Sequence, residues 1–307
     1  MLNEPLDILI NHPIRKTPQQ KESFREDVMQ YIRELGYEVH TENCCKDGQN
    51  IVFGPQDTAQ YLITAHYDTP VSIGIPNVCT PCNALRSRLK YMASVAFGAF
   101  STACPALLIK YGYVIPGILL LLPVFLLLLL MRNGPANLNN ANDNTSGVVA
   151  LLEIARSLPQ AHRNKVCFIL FDLEEKGLKG SAAYRKAHKE VTEKQLVLNL
   201  DCVGDGDHLL MFPTKALKKN RRKLTSLYKA CGYFGNKSLL VHEKGFGIYP
   251  SDQMVFPYGV GICALQKGKH GLYVSRIHTA KDTVLEITNV NILRAALTSF
   301  ISCDAAQ

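Results

Sequence analysis

The sequence lacks the usual pattern of a secretory leader. Its first twenty residues, MLNEPLDILINHPIRKTPQQ, contain no sustained apolar run behind a basic end. We therefore expect a protein of the cytosolic compartment. The ten cysteines fit this expectation because several lie in apolar runs such as KVCFILFD and GICALQ, where reduced core thiols are found. Cys79 and Cys82 form a C-x-x-C with no second pair, which favours an ordinary loop over a zinc or redox site.

Signatures of nucleic-acid binding are also missing. The formal net charge of +8 at pH 7 would permit such binding. However, the basic residues are spread along the chain, and no aromatic-basic repeat accompanies them. We therefore expect no nucleic-acid partner.

Long uncharged runs stand out in the first half of the chain. With 47% hydrophobic residues the chain can bury a large core, yet residues 92–109 and 114–131 form two charge-free segments separated only by KYGY. Each is long enough, or nearly so, to cross a hydrocarbon core of about 30 Å as a helix. The pair predicts a transmembrane hairpin over residues 91–131. A soluble apolar hairpin that covers a dimer interface is the alternative, but a soluble helix normally needs a polar face.

The residues that flank the two segments predict the orientation of the hairpin. Arg86, Arg88 and Lys90 precede the first segment and Arg132 follows the second, whereas the connecting tip carries only Lys110. Basic residues collect on the cytoplasmic side of a membrane. The prediction is a multi-pass protein of the cell membrane whose main domain faces the cytoplasm, with lipid as a partner. Tyr91, Tyr111 and Tyr113 lie where the aromatic residues of a membrane interface are expected.

The remaining residues, 1–90 and 132–307, read as one α/β domain. Apolar strands such as QYLITAH, KVCFILFDLEE and QLVLNLD alternate with helices such as SGVVALLEIARSLP and GSAAYRKAHKEV. Shorter strands, HLLMFP, SLLVHE and GVGICALQ, and a last helix, NVNILRAALTSFI, follow. This alternation predicts a three-layer α-β-α sandwich with a mostly parallel mixed sheet, interrupted by the hairpin.

Acidic and imidazole side chains end three of the predicted strands. His66 ends QYLITAH, Glu174 and Glu175 end KVCFILFDLEE, which also carries Asp172 to the same rim, and Asp201 ends QLVLNLD. Because ligands of open α/β sheets gather at the carboxyl ends of the strands, we expect these groups to converge. Such a cluster is costly unless a cation compensates for its charge. Histidine nitrogen mixed with carboxylate oxygen suits zinc, and an excess of carboxylates can bridge two metal ions.

Two further candidates gain weight only from this cluster. Asp143, in NANDNTSGVV, could equally be a turn or capping aspartate ahead of a helix. His278, in SRIHTAKDT, taken alone reads as an ordinary loop histidine. The neighbours Glu174 and Glu175 would point to opposite faces of an extended strand, so both reach one centre only where the strand breaks into a loop, which GLKGS supplies.

Five motifs carry a resemblance to a known family: AHYDTP, ANDNTSGVVALLEIAR, FDLEEKGLKGS, NLDCVG and RIHTAKDT. They stand in the order and spacing of the co-catalytic zinc aminopeptidases, which include bacterial leucyl aminopeptidases, glutamate carboxypeptidases and glutaminyl cyclases. The chain resembles this family over nearly all its length except the predicted hairpin. The resemblance implies a zinc exopeptidase that hydrolyses peptides with two zinc ions and a water activated by them.

The resemblance also implies a role for each of seven residues. They are His66 and Asp201 as ligands of one zinc ion, Glu175 and His278 as ligands of the other, Asp143 as the bridging carboxylate, Glu174 as the general base, and Asp68 as the carboxylate that holds the ligand imidazole. The chain departs from the family where SDH is common and it reads Ser251-Asp252-Gln253. This departure leaves the substrate pocket open to question.

Three other functions stay open. A glutaminyl-cyclase-like acyltransferase shares the fold but uses a single zinc in the family, whereas His66 and Asp201 are both retained here. A catalytically inactive binding module would be expected to have lost ligands, and none of the five is missing. A transporter is disfavoured because the two spans carry no ionisable residue apart from the tip. A site shared by His66 and Asp143 requires an even number of crossings between them, which two spans satisfy.

Overall fold

The computed structural model describes residues 4–72, 78–269 and 271–303. In chain order the helices are α1 (Pro5–Asn11), α2 (Pro18–Glu34), α3 (Ala84–Lys110), α4 (Val114–Asn133), α5 (Ser146–Ser157), α6 (Lys179–Ala187), α7 (Lys189–Thr192), α8 (Lys215–Lys219), α9 (Arg221–Leu227) and α10 (Ile287–Cys303). The strands are β1 (Val39–Cys45), β2 (Gly48–Phe53), β3 (Tyr61–His66), β4 (Val166–Phe171), β5 (Leu196–Leu200), β6 (His208–Pro213), β7 (Gly232–Phe234), β8 (Lys237–Val241), β9 (Gly259–Gly268) and β10 (Gly271–Tyr273).

The strands form one mixed sheet in the order β1-β2-β4-β3-β5-β9-β6-β8-β7, and β10 pairs with β9. At its centre, β4, β3, β5 and β9 run parallel. Antiparallel pairs lie toward both edges, where β2 joins β4 and β6 joins β9. The expected mixed α/β sheet is confirmed, and its parallel centre brings the carboxyl ends of three neighbouring strands to one edge.

Both faces of the sheet are covered, as the alternation of side chains along β4 shows. Val166, Phe168 and Leu170 belong to one buried cluster, which also contains residues of α2, α5 and α10. Cys167, Ile169 and Phe171 belong to a second cluster on the opposite face, together with Tyr184 of α6. All six side chains are fully buried, which explains why the strand reads as a continuous apolar run.

Local sequence signals explain where some elements begin and end. Helix α2 begins after Thr17, whose hydroxyl accepts a hydrogen bond from the main chain of Gln20, as a capping box requires. The strand expected through Glu175 is shorter, because β4 ends at Phe171 and Leu173 takes a left-handed backbone, with φ of 58°. The sequence does not predict strand β1, because its segment, VHTENCC, is polar and half-exposed and contains no apolar run.

The two uncharged segments form a helical hairpin. Helices α3 and α4 pack against each other, and they are long and apolar enough to cross a membrane. Large apolar side chains on both are exposed, for example Phe97 at 57% and Leu126 at 54%. Helix α3 begins at Ala84, eight residues before the predicted span, and this extension carries the basic flank. The division of the chain at residues 91 and 131 stays a prediction.

Candidate metal centre

The sheet brings the predicted site residues together at one edge. His66 is the last residue of β3, Asp201 directly follows β5, and Glu174 and Glu175 stand in the turn after β4. Asp143 lies in a single irregular turn, Ala141–Thr145, that leads into α5. His278 comes from the loop between β10 and α10. The expected convergence of these residues is therefore present in the fold.

One group of potential ligands consists of His66, Asp143 and Asp201. Their donor atoms all lie within 4.8 Å of one another, and all three side chains are buried. His66 Nε2 is 3.2 Å from Asp143 Oδ1 and 3.8 Å from Asp201 Oδ1. Four donors at 2.0–2.1 Å around a tetrahedral zinc would be separated by about 3.3 Å. These spacings are thus close to those of a zinc site.

A second group consists of Asp143, Glu175 and His278. Its donor atoms also lie within 4.8 Å of one another. His278 Nε2 is 3.0 Å from Asp143 Oδ2 and 3.4 Å from Glu175 Oε1. Asp143 therefore offers Oδ1 to the first group and Oδ2 to the second, which is the geometry of a carboxylate that bridges two metal ions.

Asp68 lies beside the first group and contacts both the His66 ring and the turn that carries Glu174 and Glu175. Its Oδ1 is 3.5 Å from His66 Nδ1, the ring nitrogen that faces away from Asp143. The same oxygen accepts a hydrogen bond from the main-chain N–H of Glu174 at 3.0 Å, and Oδ2 accepts one from Glu175 at 3.3 Å. Asp68 is thus placed to fix both the imidazole and the turn that carries the two glutamates.

Burial and mutual contact shift the ionisation of the cluster. Burial opposes the protonation of His66, but the facing carboxylates of Asp143 and Asp201 outweigh it and raise the His66 pKa well above its ordinary value. The same balance raises the pKa of His278 to about 11, through Asp143 and Glu175. In the absence of a metal ion both shifts favour the protonated, cationic form of the imidazoles.

The pKa values of the two glutamates are raised as well, which for a carboxylic acid favours the neutral form. Burial raises the pKa of Glu174 well above its ordinary value, against the attraction of His66. Burial, followed by repulsion from Asp143, raises the pKa of Glu175 to about 7. Both shifts reflect a crowded set of carboxylates in a site with little access to water.

Three positioning residues were missed in the sequence. The Asn144 amide donates to the carbonyls of Leu200 and His66 and accepts from Gly147 and Cys202, so it fastens the ends of β3 and β5 to α5. Asp282 accepts from the main-chain N–H groups of Asn142 and Asp143 at 2.8 and 3.0 Å. In the sequence, Asn144 adjoins Asp143 and Asp282 follows His278 by four residues. These positions were the only sequence signals for the two residues.

Arg15 is the third missed residue, and nothing in the sequence marks it. Its side chain is fully buried, and its Nε donates to the carbonyl of Tyr67 at 2.6 Å. One terminal nitrogen donates to the Thr145 hydroxyl at 3.2 Å. Burial lowers the pKa of Arg15 to about 10, so the guanidinium remains a cation beside the acidic cluster.

Other residues singled out in the sequence lie apart from both groups. Asp172, expected at the same rim, instead pairs with buried Lys21 and accepts from the N–H of Gln49. Gln253 is buried and its amide is satisfied, because it donates to the Tyr249 carbonyl and accepts from Asn199. All ten cysteines are free thiols, and Cys82 Sγ lies 3.9 Å from His242 Nδ1.

An independent observation supports a metal ion among these residues. The buried Oδ1 of Asp201 and the buried Nδ1 of His66 have no hydrogen-bond partner among the described residues. An orphaned carboxylate oxygen is costly in a protein interior unless a cation faces it. The Asp201 oxygen lies on the side of the first ligand group, where a zinc ion would satisfy it.

Comparisons with known proteins bear on the family of the chain. The model of Peptidase family M28 matches residues 131–300, which is more than half of the chain. Aminopeptidase YwaD of Bacillus subtilis is 43% identical over 67 residues, a match that spans 21% of this chain and 15% of YwaD. The matched part is thus a small share of that relative.

Solved structures share the fold. The glutaminyl cyclase of Porphyromonas gingivalis superposes with a TM-score of 0.64 at 16% identity, over 99% of this chain and 98% of that one. A Zn-dependent exopeptidase of Parabacteroides distasonis gives 0.60 at 17% identity, over 98% and 97%. At such identities these likenesses concern the fold, whereas the family match covers the segment that carries Asp143, Glu174, Glu175, Asp201 and His278. The chain belongs to Peptidase family M28.

Proposed function

We propose that the chain is a zinc-dependent exopeptidase, specifically an aminopeptidase that uses two zinc ions. The observation that carries this proposal is the pair of three-residue groups that share Asp143. Two mixed nitrogen and oxygen donor sets joined by one carboxylate suit two zinc ions at bridging distance. Family membership supports hydrolysis of peptide bonds as the reaction.

The ligands divide between the two ions by their positions. His66 and Asp201 hold one zinc, Glu175 and His278 hold the other, and Asp143 bridges them. When bound, the zinc ions supply Lewis-acid activation of a water molecule and polarise the scissile carbonyl. Asp282 and Asn144 fix the main chain on either side of Asp143, so the bridging carboxylate is held before substrate arrives.

Glu174 is the residue to which we assign proton transfer. It adjoins the ligand Glu175 in the same turn, and its own carboxylate forms a third donor group with His66 and Glu175. In this assignment the Glu174 carboxylate takes a proton from the attacking water and passes it to the leaving amine. Asp68 positions Glu174 through the main chain rather than through the side chain.

The hairpin supports a membrane location. Helices α3 and α4 expose their apolar surface over nearly their whole length, which in water would cost roughly 25 cal/mol for each Å². We propose that they cross the bilayer and that the domain faces the cytoplasm, as the basic flank at Arg86, Arg88 and Lys90 indicates. Met131 at the base of α4 lines a small cavity together with Asp68 and Glu175. The metal centre would then lie beside the membrane surface.

A glutaminyl-cyclase activity is the second candidate, favoured by the full-length superposition on the Porphyromonas gingivalis enzyme. The two reactions make different demands on the metal site. Glutaminyl cyclases of the family that the chain resembles use one zinc ion. In this chain the two ligand groups that share Asp143 offer donors for two zinc ions. Metal stoichiometry and product analysis together separate the candidates.

The test uses purified full-length protein. Aminoacyl and acyl-peptide substrates, and peptides with an N-terminal glutamine, are offered to the zinc-loaded, chelated and reconstituted protein. We expect about two zinc ions per chain, release of N-terminal residues, loss of activity on chelation and recovery with zinc. One zinc per fully active chain, with pyroglutamyl product, would identify the cyclase instead.

A further inference from the structure

A cavity of about 850 Å³ lies on the side of the domain that carries β6 and α8. Its walls come from the end of β6, from α8, from residues 245–249 and from the short helix Asp252–Val255. None of the seven site residues lines it. Its volume is within the range of small-molecule sites in proteins.

The interior of the cavity is mostly apolar. Phe212, Tyr249 and Phe256 form buried parts of the wall, and Ile248 and Met254 expose 46% and 52% of their surface at it. The polar amide of Gln253 is already satisfied by Asn199 and the Tyr249 carbonyl, so it demands no ligand. An occupant would therefore be held by apolar contact over most of its surface.

The charges that the described residues bring to the cavity wall are all of one sign. Arg185, Lys215 and Lys218 contribute to the wall, and among the described residues no aspartate or glutamate does. Within the described part of the chain none of these three side chains forms an ion pair or hydrogen bond. Three free cations beside an apolar wall complement an anion that carries an apolar chain.

We propose that this cavity binds an amphiphilic anion, a carboxylate attached to an extended apolar chain. The apolar chain lies against Phe212 and Phe256, and the carboxylate meets Lys215, Lys218 and Arg185. The site differs in chemistry from the metal centre, where five carboxylates repel an anion unless zinc is bound. Binding is consequently independent of the zinc content of the protein.

The probe is octanoate, titrated calorimetrically into the full chain in nanodiscs of zwitterionic lipid. Because the lipid carries no net charge, partition into the bilayer is the same background for every variant. We expect saturable binding of equal affinity in zinc-loaded and chelated protein. Octyltrimethylammonium, which has the same chain and the opposite charge, should not bind.

Two variants test the site directly. Lys218→Glu should weaken octanoate binding by at least about tenfold, since it replaces an attractive charge by a repulsive one. Lys219→Glu makes the same change of net charge on the same helix at an exposed residue outside the cavity, and should bind like the original. Ala216→Trp, at an exposed residue of the wall, should fill the cavity and abolish binding.

Several results would overturn the proposal. These are octanoate binding that requires zinc, equal binding of the cationic probe, or equal losses in Lys218→Glu and Lys219→Glu. Unchanged binding by Ala216→Trp would also count against it, provided that its thermal unfolding matches that of the original chain. None of these outcomes depends on whether the protein hydrolyses peptides.

Discussion

The Asp68 carboxylate holds the main chain of Glu174, with 3.0 Å between Oδ1 and the amide nitrogen. The two residues stand at the ends of neighbouring parallel strands, β3 and β4, so the bond joins the histidine-bearing end of one strand to the glutamate-bearing turn of the next. Asp68 also lies 3.5 Å from the His66 ring. One carboxylate therefore sets the relative position of a metal ligand and the proposed general base.

Asp68→Asn should disturb both relationships while leaving the fold intact. The amide oxygen of the asparagine can still accept the hydrogen bond from the Glu174 N–H. Its NH2 group takes the place of Oδ2, which in the original chain accepts from the Glu175 N–H, so two donors then face each other. The negative partner of the His66 ring is lost as well. We expect zinc affinity or hydrolysis to fall by about 10- to 100-fold, the usual cost of losing such a partner.

Zinc titration and kcat/KM measure this effect, and circular dichroism checks the fold. Asp207→Asn serves as the matched control, since its carboxylate is 51% exposed and pairs with Lys237 away from the metal centre. Full activity in Asp68→Asn would show that the Glu174 turn is held by other contacts.

Glu174→Gln and Glu175→Gln should differ in what they lose. Glu174→Gln keeps the shape of the side chain and removes the proton acceptor, so hydrolysis should fall by at least about a hundredfold with zinc retained. Glu175→Gln replaces the anionic carboxylate, whose Oε1 lies 3.4 Å from His278 Nε2, by a neutral amide that is a much weaker zinc ligand, so one zinc ion should be lost. Metal analysis and single-turnover kinetics on the two proteins give the comparison.

The reverse pattern would exchange the two assignments. If Glu174→Gln loses zinc and Glu175→Gln keeps it, the first glutamate is the ligand and the second the base. Equal loss of zinc in both would show that the turn responds as a unit.

Zinc binding should release protons and strengthen as the pH rises. In the metal-free protein the pKa of His66 is raised well above its ordinary value and that of His278 is raised to about 11, so both rings are protonated at pH 7. Zinc binds only the unprotonated ring, so each ion must displace a proton. Affinity therefore falls toward acid and increases with pH throughout the range below these pKa values.

Calorimetry in PIPES and in HEPES measures the number of protons from the difference in heat. We expect at least two protons released at pH 7 for full zinc loading, because Glu175, whose pKa is raised to about 7, adds part of a third to the two from the imidazoles, and we expect about one fewer in His278→Ala. His188→Gln is the control, because His188 pairs with Glu42 at 3.0 Å outside the metal-binding groups. Heats that are identical in both buffers would contradict the protonated state of the rings.

The sequence was sufficient for the residues that end apolar strands. His66 and Asp201 were placed by the strand pattern alone, because the carboxyl ends of parallel strands meet at one edge. Asp143 and His278 come from loops, where no periodicity fixes the position of a side chain. The cluster made them candidates and the resemblance supplied their roles, and the fold brings both to Glu175.

The supporting residues could not be predicted in the same way. Arg15 precedes α2 and reaches Tyr67 and Thr145, which are distant in sequence, so only the folded chain reveals the contact. Asp172 shows the opposite error. Its position at a strand end predicted a place beside the metal ligands, but its carboxylate pairs with Lys21 instead. A strand end predicts where a residue lies but does not predict which partner it selects.

Described residues on both sides of the hairpin are tied to the domain by main-chain hydrogen bonds. Ser72 donates from its main chain to Pro135, and Asn137 donates to Pro70, at 2.9 and 2.8 Å. On the other side Cys79 pairs with Val274 through two main-chain hydrogen bonds. These contacts oppose swinging of the domain relative to α3 and α4. If the hairpin lies in the bilayer, the active site must stay close to its surface.

Replacing residues 92–130 with a flexible linker should therefore separate anchoring from catalysis. Met131 is retained because it lines the cavity beside Asp68 and Glu175, and its loss would confuse an effect on the metal site with an effect on location. We expect the shortened protein to be soluble and zinc-loaded and to cleave small soluble peptides at the rate of the full chain. On peptides bound to lipid vesicles the full chain should be faster, because it shares their surface. Sedimentation without detergent and parallel assays on both substrates measure the two effects. Full-length protein in the soluble fraction, or equal rates on vesicle-bound peptides, would refute the membrane role and leave the peptidase assignment untouched.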